Sequence, residues 1–274
     1  MSMPSSSKRV GGLLARRGAL LAASCCASLC LWALPAQAQW SALPDTIAKV
    51  KPAVVIVGSY NPTTAPRFSL RGTGFVVGAG NWVVSNAHVL QAAGSADTAG
   101  QLVVQVRTGP DSFQTRAAKV LEKDVFHDLT LLQIEGPPVP ALPVADSDRV
   151  KEGQELAFMG FPIGGALGFS SVTHRAMVSA ITQARLPSAQ SGQLNERAIR
   201  GLREGNFLIF QLDATAYPGN SGGPLFDPAS GDVVGVVNMV LLKGARESAL
   251  SQPSGISYAI PARHVREMMA RQRP

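Results

Sequence analysis

From about residue 45 onward, short apolar runs alternate with clusters of Gly, Pro, Asn and Ser. Runs of this length that are rich in valine, leucine and isoleucine predict β-strands, and regular turn signals between them are typical of a sandwich or a pair of barrels. We expect strands at 53–58, 74–77, 82–84, 102–106, 118–122, 129–134, 155–159, 172–181, 207–212, 232–240 and 256–260. The pattern therefore predicts an all-β fold.

The tail of the chain is the one long segment with helical spacing. From Pro261 to about Arg271, apolar residues recur at i, i+3 and i+4 as Val265, Met268 and Met269. Proline suits the first turn of a helix, since its missing N–H would have no partner there. We therefore expect a C-terminal helix over 261–272.

A proline-rich segment at 137–143 divides the strand pattern into two halves. Proline fixes φ and lacks an N–H, so such a segment stays extended and does not join a sheet. We expect a first barrel over about 45–136, this linker, and a second barrel over about 144–260.

Residues 1–38 have the pattern of an export signal. Basic residues precede an uncharged, mostly apolar stretch at 18–34, and a small-x-small site ends at Ala38. We expect cleavage after Ala38, a mature chain of 39–274, and a periplasmic or secreted location. The alternative is an uncleaved membrane anchor, for which the apolar run is near the lower length limit. Arg16 and Arg17 leave the twin-arginine export route open.

Charge and cysteine content narrow the function classes. Cys25, Cys26 and Cys30 all lie in the signal, so the mature domain has to fold without disulfides. The signal also holds four of the 25 Lys+Arg and none of the 18 Asp+Glu, which leaves 21 − 18 = +3 on the mature chain. This mild charge, without a dense basic patch, gives no support for nucleic-acid binding.

The segment 217–225 places Ser221 among glycines, which is typical of an exposed hydroxyl on a tight turn. Gly219 can adopt backbone angles that are closed to other residues. The N–H groups of Gly219 and Ser221 can then point at one spot and stabilise an oxyanion there, with Asn220 shaping the turn. A serine nucleophile needs a base, and the base needs an orienting acid.

The chain has only four histidines. His88 lies in a small, apolar setting, and Asp128 opens an apolar strand, so we predict that they serve as base and orienting acid. The order His88, Asp128, Ser221 is that of the chymotrypsin type of triad. We interpret His127 as solvated or satisfied, His174 as structural, and His264 as a surface residue of the tail helix. No metal-ligand clustering accompanies them, so no metal or cofactor is expected.

Three motifs in this order resemble the HtrA/Deg group of trypsin-like serine proteases. Gly219–Leu225 match the nucleophile motif of the group and Ser85–Leu90 match its histidine motif. Further segments that resemble the group lie at 47–55, 72–77, 145–148, 160–162 and 255–261. The resemblance covers roughly residues 45–265. It implies two six-stranded β-barrels of the chymotrypsin/trypsin type, with the triad assembled across the cleft between them.

The resemblance also implies cleavage of peptide bonds in protein or peptide substrates. Thr215 stands where a pocket specific for basic residues would carry an acid, and Val237, Asn238 and Met239 resemble the strand edge that pairs with substrate. We expect cleavage after small aliphatic residues. The group often forms trimers through N-terminal contacts, which makes a homotrimer an open alternative.

Three features depart from the group. Tyr217-Pro218 replaces the asparagine-containing approach to the nucleophile that is usual in the group. The sequence ends at Pro274, shortly after the tail helix, so no PDZ domain is expected, and residues 183–206 form a long polar insert. The insert is either a loop over the cleft, a partner surface or a solvated loop. Besides an active endopeptidase, a silent chaperone or binding module on a protease fold remains open. A triad that rests until substrate or a partner binds also remains open.

Overall fold

Twelve strands in the described part of the chain close into two six-stranded antiparallel barrels. The structure is a computed structural model, and it describes residues 42–90, 100–110, 112–162, 169–184, 207–238 and 255–272. The predicted signal, most of the 183–206 insert and Met239 lie outside these residues. The expected all-β fold class with two barrels and a C-terminal helix is confirmed.

The first barrel has the strand order β1-β2-β3-β6-β5-β4. Its strands are β1 Val54–Tyr60, β2 Phe68–Val77, β3 Trp82–Asn86, β4 Gln101–Arg107, β5 Phe113–Asp124 and β6 Leu129–Ile134. Strand β1 is buried on both faces over most of its length. A run of β-branched residues suits such a strand, since neither face meets water.

The second barrel has the order β10-β11-β12-β9-β8-β7. Its strands are β7 Glu155–Gly160, β8 Val172–Gln183, β9 Leu208–Asp213, β10 Pro224–Phe226, β11 Val233–Asn238 and β12 Ile256–Pro261. Strand β10 was absent from our sequence-based prediction. It is three residues long and begins directly after the glycine-rich turn, so it offers no apolar alternation to recognise.

The proline-rich linker is bound to both barrels by backbone hydrogen bonds. Val139 N donates to Gly80 O at 2.9 Å, and Leu142 N donates to Val76 O at 2.8 Å, both in the first barrel. On the other side, Val233 N of the second barrel donates to Pro143 O at 2.9 Å. The linker therefore fixes the position of one barrel relative to the other, and with it the cleft between them.

The described residues include two α-helices, one before the first barrel and one after the second. Helix α1, Leu43–Val50, precedes the first strand and was not expected from the sequence. Helix α2, Arg263–Arg271, is the expected tail helix, although Pro261 ends strand β12 instead of opening the helix. Among the described residues, no helix is both long and apolar enough to cross a membrane.

The interpretation of His264 as a surface residue is wrong. The residue is 7% exposed, because α2 packs this face against the first barrel, where the His264 ring stacks on His127 with 3.8 Å between ring centroids. Arg263 Nε donates to His264 Nε2 at 3.3 Å, so the imidazole is an acceptor there and is neutral. Burial, with the charges of His127 and Arg263, lowers the pKa of His264 to about 4.

We expect the free energy of unfolding to decrease as the pH falls from about 6.5 to about 4. His264 takes up a proton in this window when the chain is unfolded but resists it in the folded state, so protonation favours unfolding. Urea unfolding at about pH 7 and about pH 4.5 measures the change. His264→Phe keeps an aromatic ring and cannot titrate, so its stability should depend less on pH. An unchanged pH dependence in His264→Phe would contradict the assignment.

Candidate active site

A short 3₁₀ turn positions His88. It spans Ala87–Leu90 directly after strand β3 and docks onto Asp128, which lies just before strand β6. Ala87 N donates to Asp128 O at 3.1 Å, and His88 N donates to Asp128 Oδ1 at 2.9 Å. Asp128 therefore caps the first N–H groups of this turn, which would otherwise lack acceptors.

The imidazole of His88 binds the same carboxylate. His88 Nδ1 lies 2.6 Å from Asp128 Oδ2, and the two side chains are 11% and 5% exposed. A carboxylate can only accept, so Nδ1 carries the proton of the neutral imidazole and Nε2 presents its lone pair. Two contacts to one carboxylate, from backbone and ring, fix both the position and the tautomer of His88.

Asp128 adopts an unusual backbone conformation. Its φ is 56°, and it is the only residue other than glycine with a positive φ in the described part of the chain. Aspartate tolerates this region better than most residues. Here Asn86 Nδ2 donates to the Asp128 carbonyl at 3.0 Å, which adds to the bond from Ala87. The conformation turns both the carbonyl and the carboxylate of Asp128 towards the His88 segment.

The second barrel also contacts this carboxylate. Asn238 Nδ2, at the end of strand β11, donates to Asp128 Oδ2 at 2.7 Å, and Asn238 is 1% exposed. The sequence suggested a substrate contact for Asn238 and gave no sign of this bond, which joins residues 110 positions apart. Asn238 therefore links the acid of the first barrel to the second barrel.

Ser221 lies on a glycine-rich turn between β9 and β10, pressed against the first barrel. Gly219 and Gly222 have φ of 102° and 87°. A Cβ on Gly222 would collide with Thr73 O and Ser85 Oγ, so only glycine allows this approach. Ser85 lies three residues before His88, so the same packing brings the turn to the His88 segment.

Two N–H groups of this turn have no acceptor among the described residues, those of Gly219 and Ser221. The other N–H groups of the turn are paired: Asn220 N donates to Tyr217 O, Gly222 N to Val237 O, and Gly223 N to Asn220 O. The unpaired groups are the pair expected from the sequence to stabilise an oxyanion. The Asn220 side chain is fully buried, and neither amide atom has a partner in the described part of the chain.

No hydrogen bond joins Ser221 Oγ to His88 Nε2 in the described residues. Ser221 is 6% exposed, and its carbonyl accepts from Thr73 N at 2.9 Å. Catalytic hydrogen bonds are commonly long in structures without substrate and shorten in the Michaelis complex. The structure thus brings His88 and Asp128 into direct contact and holds Ser221 on the adjoining turn.

The residues expected to bind substrate occupy different environments. Thr215 is half-buried on the segment that leads to the nucleophile turn. Val237 is fully buried, and its N and O are paired with Gly223 O and Gly222 N, so its backbone differs from the open strand edge expected from the sequence. Val237 binds the nucleophile turn, and Asn238 binds the Asp128 carboxylate. Met239, the next residue, lies outside the described residues.

A second His–Asp pair, His127 and Asp124, lies in the segment directly before Asp128. His127 N donates to Asp124 Oδ1 at 3.0 Å, and His127 Nδ1 lies 2.6 Å from Asp124 Oδ2. The hydrogen bonds from His127 overcome the effect of burial and lower the pKa of Asp124 to about 2. His127 therefore has hydrogen-bond partners within the protein, which agrees with its interpretation as a satisfied histidine and not with a solvated one.

His174 packs flat on Phe158, with 4.7 Å between ring centroids, and burial lowers its pKa. This agrees with the structural role assigned to it from the sequence. In the part of the chain that the structure describes, no group of three or more His, Cys, Asp or Glu could hold a metal ion.

Comparison with known proteins identifies the fold and the family. The family described as "Trypsin-like peptidase domain" matches residues 72–236. The chain is 32% identical over 240 residues to bovine (Bos taurus) mitochondrial serine protease HTRA2, covering 86% of this chain and 44% of that protein. It is 32% identical over 203 residues to a probable periplasmic serine endoprotease, DegP-like, from Marinomonas sp., covering 74% and 35%.

A solved structure of the HtrA-type protease AlgW with a tripeptide aligns with a TM-score of 0.59 at 25% identity, covering 83% of this chain and 62% of that chain. The chain spans less than half the length of the two curated relatives, bovine HTRA2 and the Marinomonas DegP-like protein. The family match itself extends over more than half of the chain and includes His88, Asp128 and Ser221. The chain belongs to the trypsin-like peptidase family, with relatives among the HtrA and DegP serine proteases.

Proposed function

We propose that this protein is a serine endopeptidase that hydrolyses peptide bonds of exported or misfolded proteins through Ser221, His88 and Asp128. The observation that carries the proposal is one network of hydrogen bonds. His88 shares the Asp128 carboxylate with Asn238, while the turn of Ser221 presents two N–H groups without acceptors. A binding module on the same fold would have no physical need for a base, an orienting acid and an anion site together.

In the proposed reaction, Ser221 Oγ attacks the carbonyl carbon of the substrate while its proton passes to His88 Nε2. Asp128 stabilises the imidazolium that forms. The carbonyl oxygen becomes an oxyanion that accepts from Gly219 N and Ser221 N. The C–N bond then breaks, the leaving amine takes the proton from His88, and an acyl-enzyme remains. Water repeats the sequence, with His88 as base, and releases the acid.

Digestion of unfolded casein by the 39–274 protein tests the proposal, with fluorophosphonate labelling of the same sample in parallel. We expect wild type to cleave casein and to take up the label. Labelling with slow cleavage would mean that the reacting groups are competent and that access or a partner limits turnover. Absence of both activities would contradict the endopeptidase function and favour a silent or resting module.

We also propose that cleavage follows small aliphatic residues such as Val, Ala or Ile. Thr215 carries no charge at the position where a basic-specific pocket would hold a carboxylate. A peptide library should give a profile dominated by these residues. Thr215→Asp should raise relative cleavage after Lys or Arg roughly tenfold, since a partly buried carboxylate attracts a cation. A wild-type profile dominated by Arg, Lys or Glu would contradict this specificity.

We also propose that the protein is periplasmic or secreted. The support for this location is the signal pattern over residues 1–38, together with the similarity to the probable periplasmic endoprotease of Marinomonas sp.. Cell fractionation of the full chain, with N-terminal sequencing for cleavage after Ala38, examines both points. A homotrimer also remains a prediction, to be measured by analytical ultracentrifugation of the 39–274 protein.

A further inference from the structure

One fully buried threonine of the first barrel binds the nucleophile turn at two points. Thr73 lies on strand β2 and is 0% exposed. Its Oγ1 donates to Gly219 O at 2.6 Å, and its N donates to Ser221 O at 2.9 Å. The two carbonyls belong to the same residues whose N–H groups have no acceptor in the described part of the chain. Thr73 therefore binds the peptide groups that directly follow these two N–H groups in the chain.

Every polar group of Thr73 is engaged, so the direction of its hydroxyl is fixed. Oγ1 also accepts from Phe161 N at 3.0 Å, and Thr73 O accepts from Ser85 Oγ at 2.7 Å. A hydroxyl has one proton, and with Phe161 N donating to it, that proton has to go to Gly219 O. Thr73 thereby connects the nucleophile turn to Phe161, directly after strand β7, and to strand β3, which precedes His88.

We infer that Thr73 is a positioning residue for the proposed reaction, holding Gly219 N and Ser221 N aimed at the developing oxyanion. Gly219 has no side chain to restrict its backbone, and its φ of 102° gives no rigidity of its own. The bond from Thr73 Oγ1 anchors the Gly219–Asn220 peptide group, and the bond from Thr73 N anchors the Ser221–Gly222 peptide group. Ser221 N lies in the peptide group between these two, and Gly219 N lies in the peptide group directly before them, so each N–H group adjoins an anchored peptide group. Thr73 acts through these two residues and does not itself touch substrate. The inference rests on the proposed endopeptidase function.

The surroundings leave no simple replacement for the hydroxyl. A Cβ on Gly160 would lie 3.0 Å from Thr73 Oγ1, and a Cβ on Gly222 would collide with Thr73 O. In such close packing, removal of Oγ1 leaves both Gly219 O and Phe161 N without a partner, since a water needs more room. The turn can then recover a hydrogen bond only by rotating away from its present orientation.

The test uses Thr73→Val, which removes the hydroxyl at nearly constant shape, and Thr73→Ser, which restores it. We expect Thr73→Val to lower kcat roughly 10- to 100-fold, by analogy with the loss of one oxyanion donor, with KM within about threefold. Ground-state substrate carries no oxyanion, so its binding depends little on these donors. Affinity for a peptide aldehyde, whose adduct carries the oxyanion, should fall in parallel with kcat/KM. Thr73→Ser should return kcat to within about threefold of wild type.

Thr46→Val is the matched control. Thr46 is 1% exposed, lies on helix α1, and its hydroxyl also donates to a backbone carbonyl, that of Ala229. We expect this variant to lose stability and to keep its kcat. Thermal unfolding of all variants separates loss of folded protein from loss of rate per folded molecule.

Three outcomes would overturn the inference. The first is an unchanged kcat in Thr73→Val. The second is a Thr73→Ser enzyme as slow as Thr73→Val. The third is a Thr73→Val enzyme that binds substrate and peptide aldehyde more weakly by the same factor. If wild type neither cleaves casein nor takes up fluorophosphonate, the proposed function fails first, and the inference on Thr73 fails with it.

Discussion

Asp128→Asn is expected to lower kcat by about 10⁴-fold while the protein remains folded. Asp128 Oδ1 accepts from His88 N, and Oδ2 receives both His88 Nδ1 and Asn238 Nδ2. All of these contacts require an acceptor, whereas an asparagine side chain offers one oxygen and one NH₂ group. In either orientation, the NH₂ group meets a donor. His88 then takes the other tautomer, with its proton on Nε2, and can no longer accept a proton from Ser221.

Asp124→Asn is the matched control for this prediction. Asp124 binds His127 through the same pair of contacts, backbone N–H to Oδ1 and Nδ1 to Oδ2. We expect Asp124→Asn to reduce stability at neutral pH, since the lowered pKa of Asp124 means that its ionised form favours folding. Its kcat should stay within about tenfold of wild type. Equal losses of kcat in the two variants, or more than a tenth of wild-type kcat in Asp128→Asn, would contradict the role of Asp128.

Ser221→Ala is expected to lower kcat by roughly 10⁶-fold, because no attacking oxygen remains on the turn. The fold should be unaffected, since the contacts of Ser221 and its neighbour run through the backbone: Ser221 O accepts from Thr73 N, and Gly222 N donates to Val237 O. Hydrolysis of a peptide ester and thermal unfolding, measured on the same preparation, give both quantities.

Ser179→Ala is the control for Ser221→Ala. Ser179 is an exposed serine on strand β8 whose hydroxyl donates to Gln211 O. Its replacement should leave kcat and the melting temperature unchanged. If the Ser221→Ala protein, purified in the same way, retained the activity of wild type, either another nucleophile or a contaminating protease would be responsible.

Most of the fold could be predicted from the sequence, because each strand corresponds to a local pattern of apolar residues. Alternating and β-branched runs predicted strands throughout both barrels, and the linker followed from its prolines. Strand β10 escaped since it is short and follows a glycine-rich turn. Helix α1 escaped because its residues were interpreted as the approach to the first strand.

Part of the candidate site could also be predicted from the sequence, because its reacting groups lie in local motifs. Motifs identify chemical groups such as His88 and Ser221, but they do not identify groups that act through long-range hydrogen bonds. Thr73 meets Gly219 across 146 positions, and Asn238 meets Asp128 across 110. His264 was misplaced because the helix pattern cannot say what packs against its polar face. In each case the missing information was a contact between distant segments.

Mapping the site of fluorophosphonate modification by tandem mass spectrometry tests most directly whether Ser221 is the activated nucleophile. The reagent captures only a serine that is activated by a base and faces an anion site. We predict a single adduct on Ser221 in the wild-type 39–274 protein, and loss of the adduct in His88→Ala. Labelling at another residue, or labelling of Ser221 at an equal rate without His88, would contradict the proposal that His88 activates Ser221 as the nucleophile.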